Sequence, residues 1–201
     1  MKQFRIAIAV VALAALGVYV GVSQSGLGAS TAPVDGLRGT ALDTPRLIEG
    51  VTLTDGAGER VTLADYRGDV VVVFFGFTSC PDVCPLTLGR LAKIYQDLGE
   101  PTDLQVLMIT VDPEHDTPEV TQRYASGFHP SFVGLSGDSS DIAQAARQFF
   151  VGFQDIGAGQ FSHTDALIVL DRDGQMRIVY SQDNMMHVSS DLETILAQRD
   201  W

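Results

Sequence analysis

Residues 70–77, Val-Val-Val-Val-Phe-Phe-Gly-Phe, form an unbroken apolar, β-branched and aromatic run that ends three residues before a cysteine. Such a run is a strand buried on both faces, since a half-exposed strand would alternate apolar with polar residues. Its sheet must then be covered on two sides, and the rest of the chain supplies the means. Leu86, Leu91, Ile94, Tyr95 and Leu98 follow at helical spacing, and residues 104–111 read as a second buried strand. Thr117-Pro118-Glu119 opens a helix with an N-cap and a proline in its first turn, residues 132–135 are a short strand, and residues 139–150 a helix. Hairpins are signalled where residues 51–53 and 60–63 flank Asp55-Gly56-Ala57-Gly58, and where residues 166–170 and 176–180 flank Asp171-Arg172-Asp173-Gly174. Capping-box spacing from Ser190 to Glu193 starts a C-terminal helix. This order predicts an α/β fold with a central mixed sheet flanked by helices, compatible with a thioredoxin-like arrangement carrying an extra N-terminal hairpin.

The N-terminus bears on location. Lys2 and Arg5 precede residues 6–22, 17 uncharged and almost wholly apolar positions. As a helix they span roughly 25 Å, against a hydrocarbon core of roughly 30 Å. Gly26-Leu27-Gly28 and Ser23-Gln24-Ser25 only approximate a signal-peptidase site, so residues 1–22 are expected to remain as an N-terminal transmembrane anchor, with a cleaved signal segment as the alternative. No basic residue follows until Arg38, which places the body outside the cytoplasm. Residues 23–46, rich in Gly, Ser, Ala, Pro and Thr, read as a flexible tether, leaving residues 47–201 as the folded domain. From residue 23 onward the chain holds 11 basic and 25 acidic side chains, a net of −14, with no electrostatic footprint for nucleic-acid phosphates. No G-x-S-x-G, H-E-x-x-H, G-x-G-x-x-G or Walker A pattern occurs, so hydrolase, zincin and nucleotide readings have no anchor.

The chemistry concentrates in Cys80-Pro81-Asp82-Val83-Cys84-Pro85, which holds the chain's 2 cysteines. They stand where the buried strand gives way to a helix, whose N-terminus favours a thiolate. Pro81 and Pro85 disfavour regular helix at Cys80 and Cys84, which puts both sulfurs in a turn. Positions i and i+4 lie roughly 6.2 Å apart in a helix, within disulfide range. Three readings stand side by side: a structural disulfide, a redox dithiol, or a metal site for copper or zinc. Of the 4 histidines, His163 precedes the strand 166–170, and in a thioredoxin-like sheet that loop passes near the turn carrying Cys80, which offers a third ligand. His115, in Asp112-Pro113-Glu114-His115-Asp116, reads as part of a solvated turn, and His129 as structural. Asp112, Glu114, Asp116 and Glu119 lack Ca²⁺-loop spacing and read as a helix-start cluster. Met185-Met186-His187 offers soft donors, with a turn before the last helix as the simpler reading.

Residues 74–88, Phe-Phe-Gly-Phe-Thr-Ser-Cys-Pro-Asp-Val-Cys-Pro-Leu-Thr-Leu, resemble the signature of the Sco/SenC proteins. Residues 111–118 resemble that family's second motif, and His163, followed by a strand and Asp171-Arg172-Asp173-Gly174, matches the position of its metal-binding histidine. The resemblance implies a membrane-anchored, thioredoxin-like metallochaperone that binds one copper ion, Cu(I) or Cu(II), through Cys80, Cys84 and His163. It further implies delivery of that ion to the binuclear copper site of cytochrome c oxidase subunit II, or reduction of the cysteines there, from the periplasmic face of a bacterial inner membrane. Binding and transfer, not substrate turnover, would be the activity. The family often has an Asp before the histidine where this chain has Ser162, and Asp165 is the candidate to orient the imidazole instead. The alternative is a metal-free exported thiol–disulfide oxidoreductase or peroxidase using Cys80 and Cys84, with Thr78 as the nearby donor.

Overall fold

A computed structural model describes residues 36–157 and 159–201. In chain order these form β1 (Thr40–Leu47), β2 (Thr52–Thr54), β3 (Arg60–Thr62), β4 (Val70–Gly76), α1 (Val83–Asp97), β5 (Leu104–Thr110), α2 (Pro118–Ser126), β6 (Val133–Leu135) and α3 (Ser139–Gln148). There follow β7 (Phe153–Gly157), β8 (Gln160–His163), β9 (Leu167–Leu170), β10 (Gln175–Tyr180) and α4 (Val188–Leu196). The expected anchor at residues 1–22 lies outside the described residues, among which no helix is long and apolar enough to cross a membrane.

Six strands form one mixed sheet in the order β1-β10-β9-β4-β5-β6. β4, β5 and β6 run parallel, as βαβ crossovers through α1 and α2 require, whereas β9 is antiparallel to β4. Every residue of β4 and β9 is buried. Successive side chains point to opposite faces, so both faces of the sheet are covered at its centre, as the apolar run predicts. The register sets Phe74 against Leu167 and Gly76 against Thr110. The carboxyl ends of β4 and β5 therefore lie beside the amino end of β9, and three loops meet at that edge.

Regular structure begins earlier than the composition of residues 23–46 suggests. Residues 40–46 belong to β1, which pairs with β10 through Thr40↔Val179 and Ala41↔Ile178 and, beyond a register shift, through Arg46↔Met176. An edge strand broken by an irregularity at Leu42 to Pro45 shows no alternating pattern, which is why it reads as linker. The preceding backbone is also held: the N–H groups of Arg38 and Gly39 donate to Asp191 Oδ2 at 2.8 and 3.0 Å, and the Tyr180 hydroxyl donates to the same oxygen at 2.9 Å. A Cβ on Gly39 would stand 2.3 Å from Ile178 Cγ2, so the backbone lies directly against β10. Replacing Asp191, 2% exposed, by Ala strands those donors and should cost about 2–4 kcal/mol in urea unfolding. A loss below about 0.5 kcal/mol would mean that residues 38 and 39 are not anchored there.

Two further elements depart from the sequence reading. α4 begins at Val188, continuing a 3-10 turn at Met185–His187, and Ser190 Oγ donates to the His187 carbonyl at 3.0 Å instead of capping the helix. β7 and β8 form a separate two-stranded hairpin, pairing Phe153 with His163, that the polar, Gly-rich segment around residue 157 does not announce.

Candidate metal centre

Gly76 ends β4 where a Cβ would lie 3.1 Å from Cys84 Sγ and 2.7 Å from the Phe74 ring. Its missing side chain lets the first turn of α1 close against the strand end. Cys84 is the second residue of that helix and fully buried, so it does not sit in an open turn. Pro85 permits this because the N–H groups of a first helical turn have no intrahelical acceptor to lose. Asp82, at the N-cap position, makes no side-chain cap; the half-buried Cys80 sulfur instead accepts the Cys84 N–H at 3.4 Å.

His163 closes β8 and reaches the same place from the other side of the sequence. Its Nε2 lies 3.9 Å from Cys84 Sγ, and its Nδ1–H donates to the Thr164 carbonyl at 3.2 Å. That carbonyl leaves the Nε2 lone pair facing the sulfur. Phe74 and Phe77 hold the ring edge-on at 6.3 and 6.0 Å between centroids. Asp165 does not take the orienting role: its Oδ2 accepts from the Gln182 side chain and its buried Oδ1 has no hydrogen-bond partner. The structure thus brings Cys80, Cys84 and His163 to one edge. Among the described residues no three His, Cys, Asp or Glu side chains stand close enough together to hold a metal ion between them.

Burial pushes the Cys84 thiol well above the ordinary cysteine range, and hydrogen bonding with Cys80 adds to it. The lowering expected of a thiol at a helix start is therefore reversed at Cys84, because desolvation outweighs the helix terminus. Tyr124 on α2 is a neighbour with no signal in the sequence: burial raises its phenol to about 12, and the Cys84, Cys80 and Asp116 charges act in the same direction.

The second motif is not a solvated turn. Asp116, 1% exposed, accepts the Thr78 N–H at 2.8 Å, the Thr78 hydroxyl, and the Thr110 hydroxyl at 2.7 Å. It ties the turn before Cys80 to the end of β5. Asp112, equally buried, pairs with His115 Nδ1 at 2.9 Å and raises that imidazole above its usual value. His129 is structural, as the sequence suggests, packed 4.6 Å from the Tyr95 ring and bonded to Ser131 at 2.7 Å. Met185 lies in the core while Met186 is exposed, so the adjacent methionines face different surroundings.

Residues 40–197 match the family model described as SCO1/SenC. The chain belongs to the SCO1/SenC family. A bovine mitochondrial SCO2 homolog is 39% identical over 142 residues, 65% of this chain and 52% of the relative, so the chain spans about half of that protein's length. Apo Sco1 from Thermus thermophilus is 37% identical with a TM-score of 0.69, over 80% of this chain and 96% of that one. ScoI from Bradyrhizobium japonicum, solved with copper bound, is 30% identical with a TM-score of 0.66, over 74% and 99%. The Sco family is one of cytochrome c oxidase assembly proteins, and several of its members have been solved with copper. The mixed sheet with its helices is the Sco thioredoxin-like fold.

One pair of the candidate donors has a spacing that suits a shared soft metal ion. A sulfur and an imidazole nitrogen sharing one ion stand about 3.4–3.7 Å apart, from bond lengths of about 2.3 and 2.0 Å. The Cys84–His163 spacing of 3.9 Å is within a small side-chain adjustment of that.

Proposed function

We propose that this Sco chain carries one copper ion as cargo on Cys80, Cys84 and His163. From a membrane-anchored position on the periplasmic face of a bacterial inner membrane it hands the ion to the binuclear site of cytochrome c oxidase subunit II. The observation that supports this most is the approach of His163 Nε2 to the buried Cys84 sulfur, with the Cys80 sulfur, in the turn just before the helix, accepting the Cys84 N–H. Two thiolates and one imidazole suit copper and leave it under-coordinated, so an incoming ligand can attack and take it over. The half-buried Cys80 is the sulfur within reach of such a ligand, while Cys84 stays inside. A metal-free peroxidase has less support, because both the N–H and the hydroxyl of Thr78 are engaged by Asp116 and do not face a sulfur-bound oxygen. Reduction of the target's cysteines uses the same sulfurs and is compatible with copper transfer.

The test is an oxygen-free titration of the reduced 201-residue chain with Cu(I) against a competing chromophoric chelator. One equivalent should bind. The Cys84 thiol keeps its proton at neutral pH and must release it to the metal, so the apparent affinity should rise with pH, by up to about tenfold per unit for each proton released. Absence of competitive binding would leave a dithiol oxidoreductase as the function.

A further inference from the structure

Between the second motif and the β7–β8 hairpin lies a pocket of about 190 Å³. Val111, Ile142, Phe153 and Phe161 give it an apolar lining, completed by the exposed Glu114, His115 and Asp155 and the buried Asp112. It adjoins the candidate copper site. The Phe161 ring is 5.5 Å from that of Phe77, which packs against His163, and Gly159 on the pocket wall accepts the hydroxyl of Ser79, the residue before Cys80.

Size and lining narrow the guest. Sites for free small ligands run to about 300–1,000 Å³, so this one has room for a single long side chain and little more. An apolar lining beside the exposed carboxylates of Glu114 and Asp155 suits a basic side chain, whose methylene stem lies on the rings while its head meets the acids. Asp112 is already matched by His115. Glu114 and Asp155 are exposed and have no ion-pair partner among the described residues. The guanidinium of arginine fits better than the ammonium of lysine, being planar, less hydrated, able to stack on Phe153 or Phe161 and to fork onto a carboxylate.

We propose that this pocket seats an arginine side chain of the protein that exchanges copper with this chain, and so holds that partner against the edge bearing Cys80, Cys84 and His163. The partner's role rests on the copper-transfer reading; the chemistry of the pocket does not. The net charge of −14 over residues 23–201 draws a basic surface toward the body, and the pocket gives the encounter one fixed point beside the metal donors.

The probe is N-acetyl-arginine methylamide, added to the 201-residue chain and followed by NMR, with N-acetyl-norleucine methylamide as a control of similar stem and no charge. The arginine probe should give saturable shifts at Ile142, Phe153 and Phe161, with a Kd on the order of millimolar. A Glu114→Gln/Asp155→Asn chain should bind it about tenfold more weakly, while its Cu(I) affinity stays unchanged. Absence of saturable shifts, equal binding of the norleucine compound, or unchanged binding by the double variant would each overturn the proposal. If Cu(I) binds and the probe does not, the pocket fails alone; if the probe binds and Cu(I) does not, copper transfer fails and the pocket stands.

Discussion

Cys84→Ser should lower Cu(I) affinity by about 10³-fold or more, roughly 4 kcal/mol, in the competition titration. Serine nearly preserves the volume of this fully buried side chain but replaces a soft thiolate with a hard oxygen that keeps its proton at any working pH. The Cys80 sulfur would remain beside the first-turn N–H of residue 84 and His163 beside the new hydroxyl, leaving one soft donor where copper needs two. His163→Ala should also weaken binding strongly, though less for Cu(I), which two thiolates can hold in line, than for Cu(II), which the imidazole favours. Wild-type Cu(I) affinity in Cys84→Ser would sink the three-donor site. Affinity indifferent to His163 alone would leave a two-sulfur site.

Asp116→Ala should be the most damaging substitution that touches none of the proposed donors. It strands the N–H and hydroxyl of half-buried Thr78 and the hydroxyl of fully buried Thr110. At about 1–3 kcal/mol for each unsatisfied buried group, less what the hydroxyls recover by turning, the loss is about 3 kcal/mol or more. For a domain of this size that corresponds to a melting temperature lower by about 10 °C in calorimetry. Asp116→Asn keeps the shape and one acceptor, so it should fall between wild type and Ala. An Ala chain that melts within about 2 °C of wild type would show that the carboxylate does not hold the turn.

The centre of the fold was legible in the sequence because burial on two faces leaves a plain mark. The run through Phe74 and Phe75, the second buried strand, the two turn-flanked hairpins and the Thr117–Pro118 helix start all appear where the pattern puts them. The cysteine pair was legible as chemistry, and His163 as a candidate through topology and resemblance. What escaped was set by contacts remote in sequence. β1 is a strand only because β10 offers it an edge, and Asp191 holds its approach from α4. Asp116 looks like a surface charge until Thr78, from the turn before Cys80, is brought to it beside Thr110 at the end of β5. Cys84 shows the limit of a local rule: Pro85 argues against helix there, yet in a first turn it removes nothing. Tyr124 carries no signal, since only the packing of α2 brings it within electrostatic reach of the thiols.

The pairing of β4 with β9 sets when the site can exist during folding. Val71 faces Leu170 across the sheet, so the Cys80 turn and the His163 loop meet only after a closure of about a hundred residues. The two sulfurs, four residues apart, are neighbours in any conformation, but the imidazole joins them only once the antiparallel half of the sheet has docked on the parallel half. Long-range pairings of that kind form late. If copper binds as proposed, a chain still assembling would offer it a loose dithiol and only the finished sheet would add the nitrogen, so the coordination of the ion would report that folding is complete.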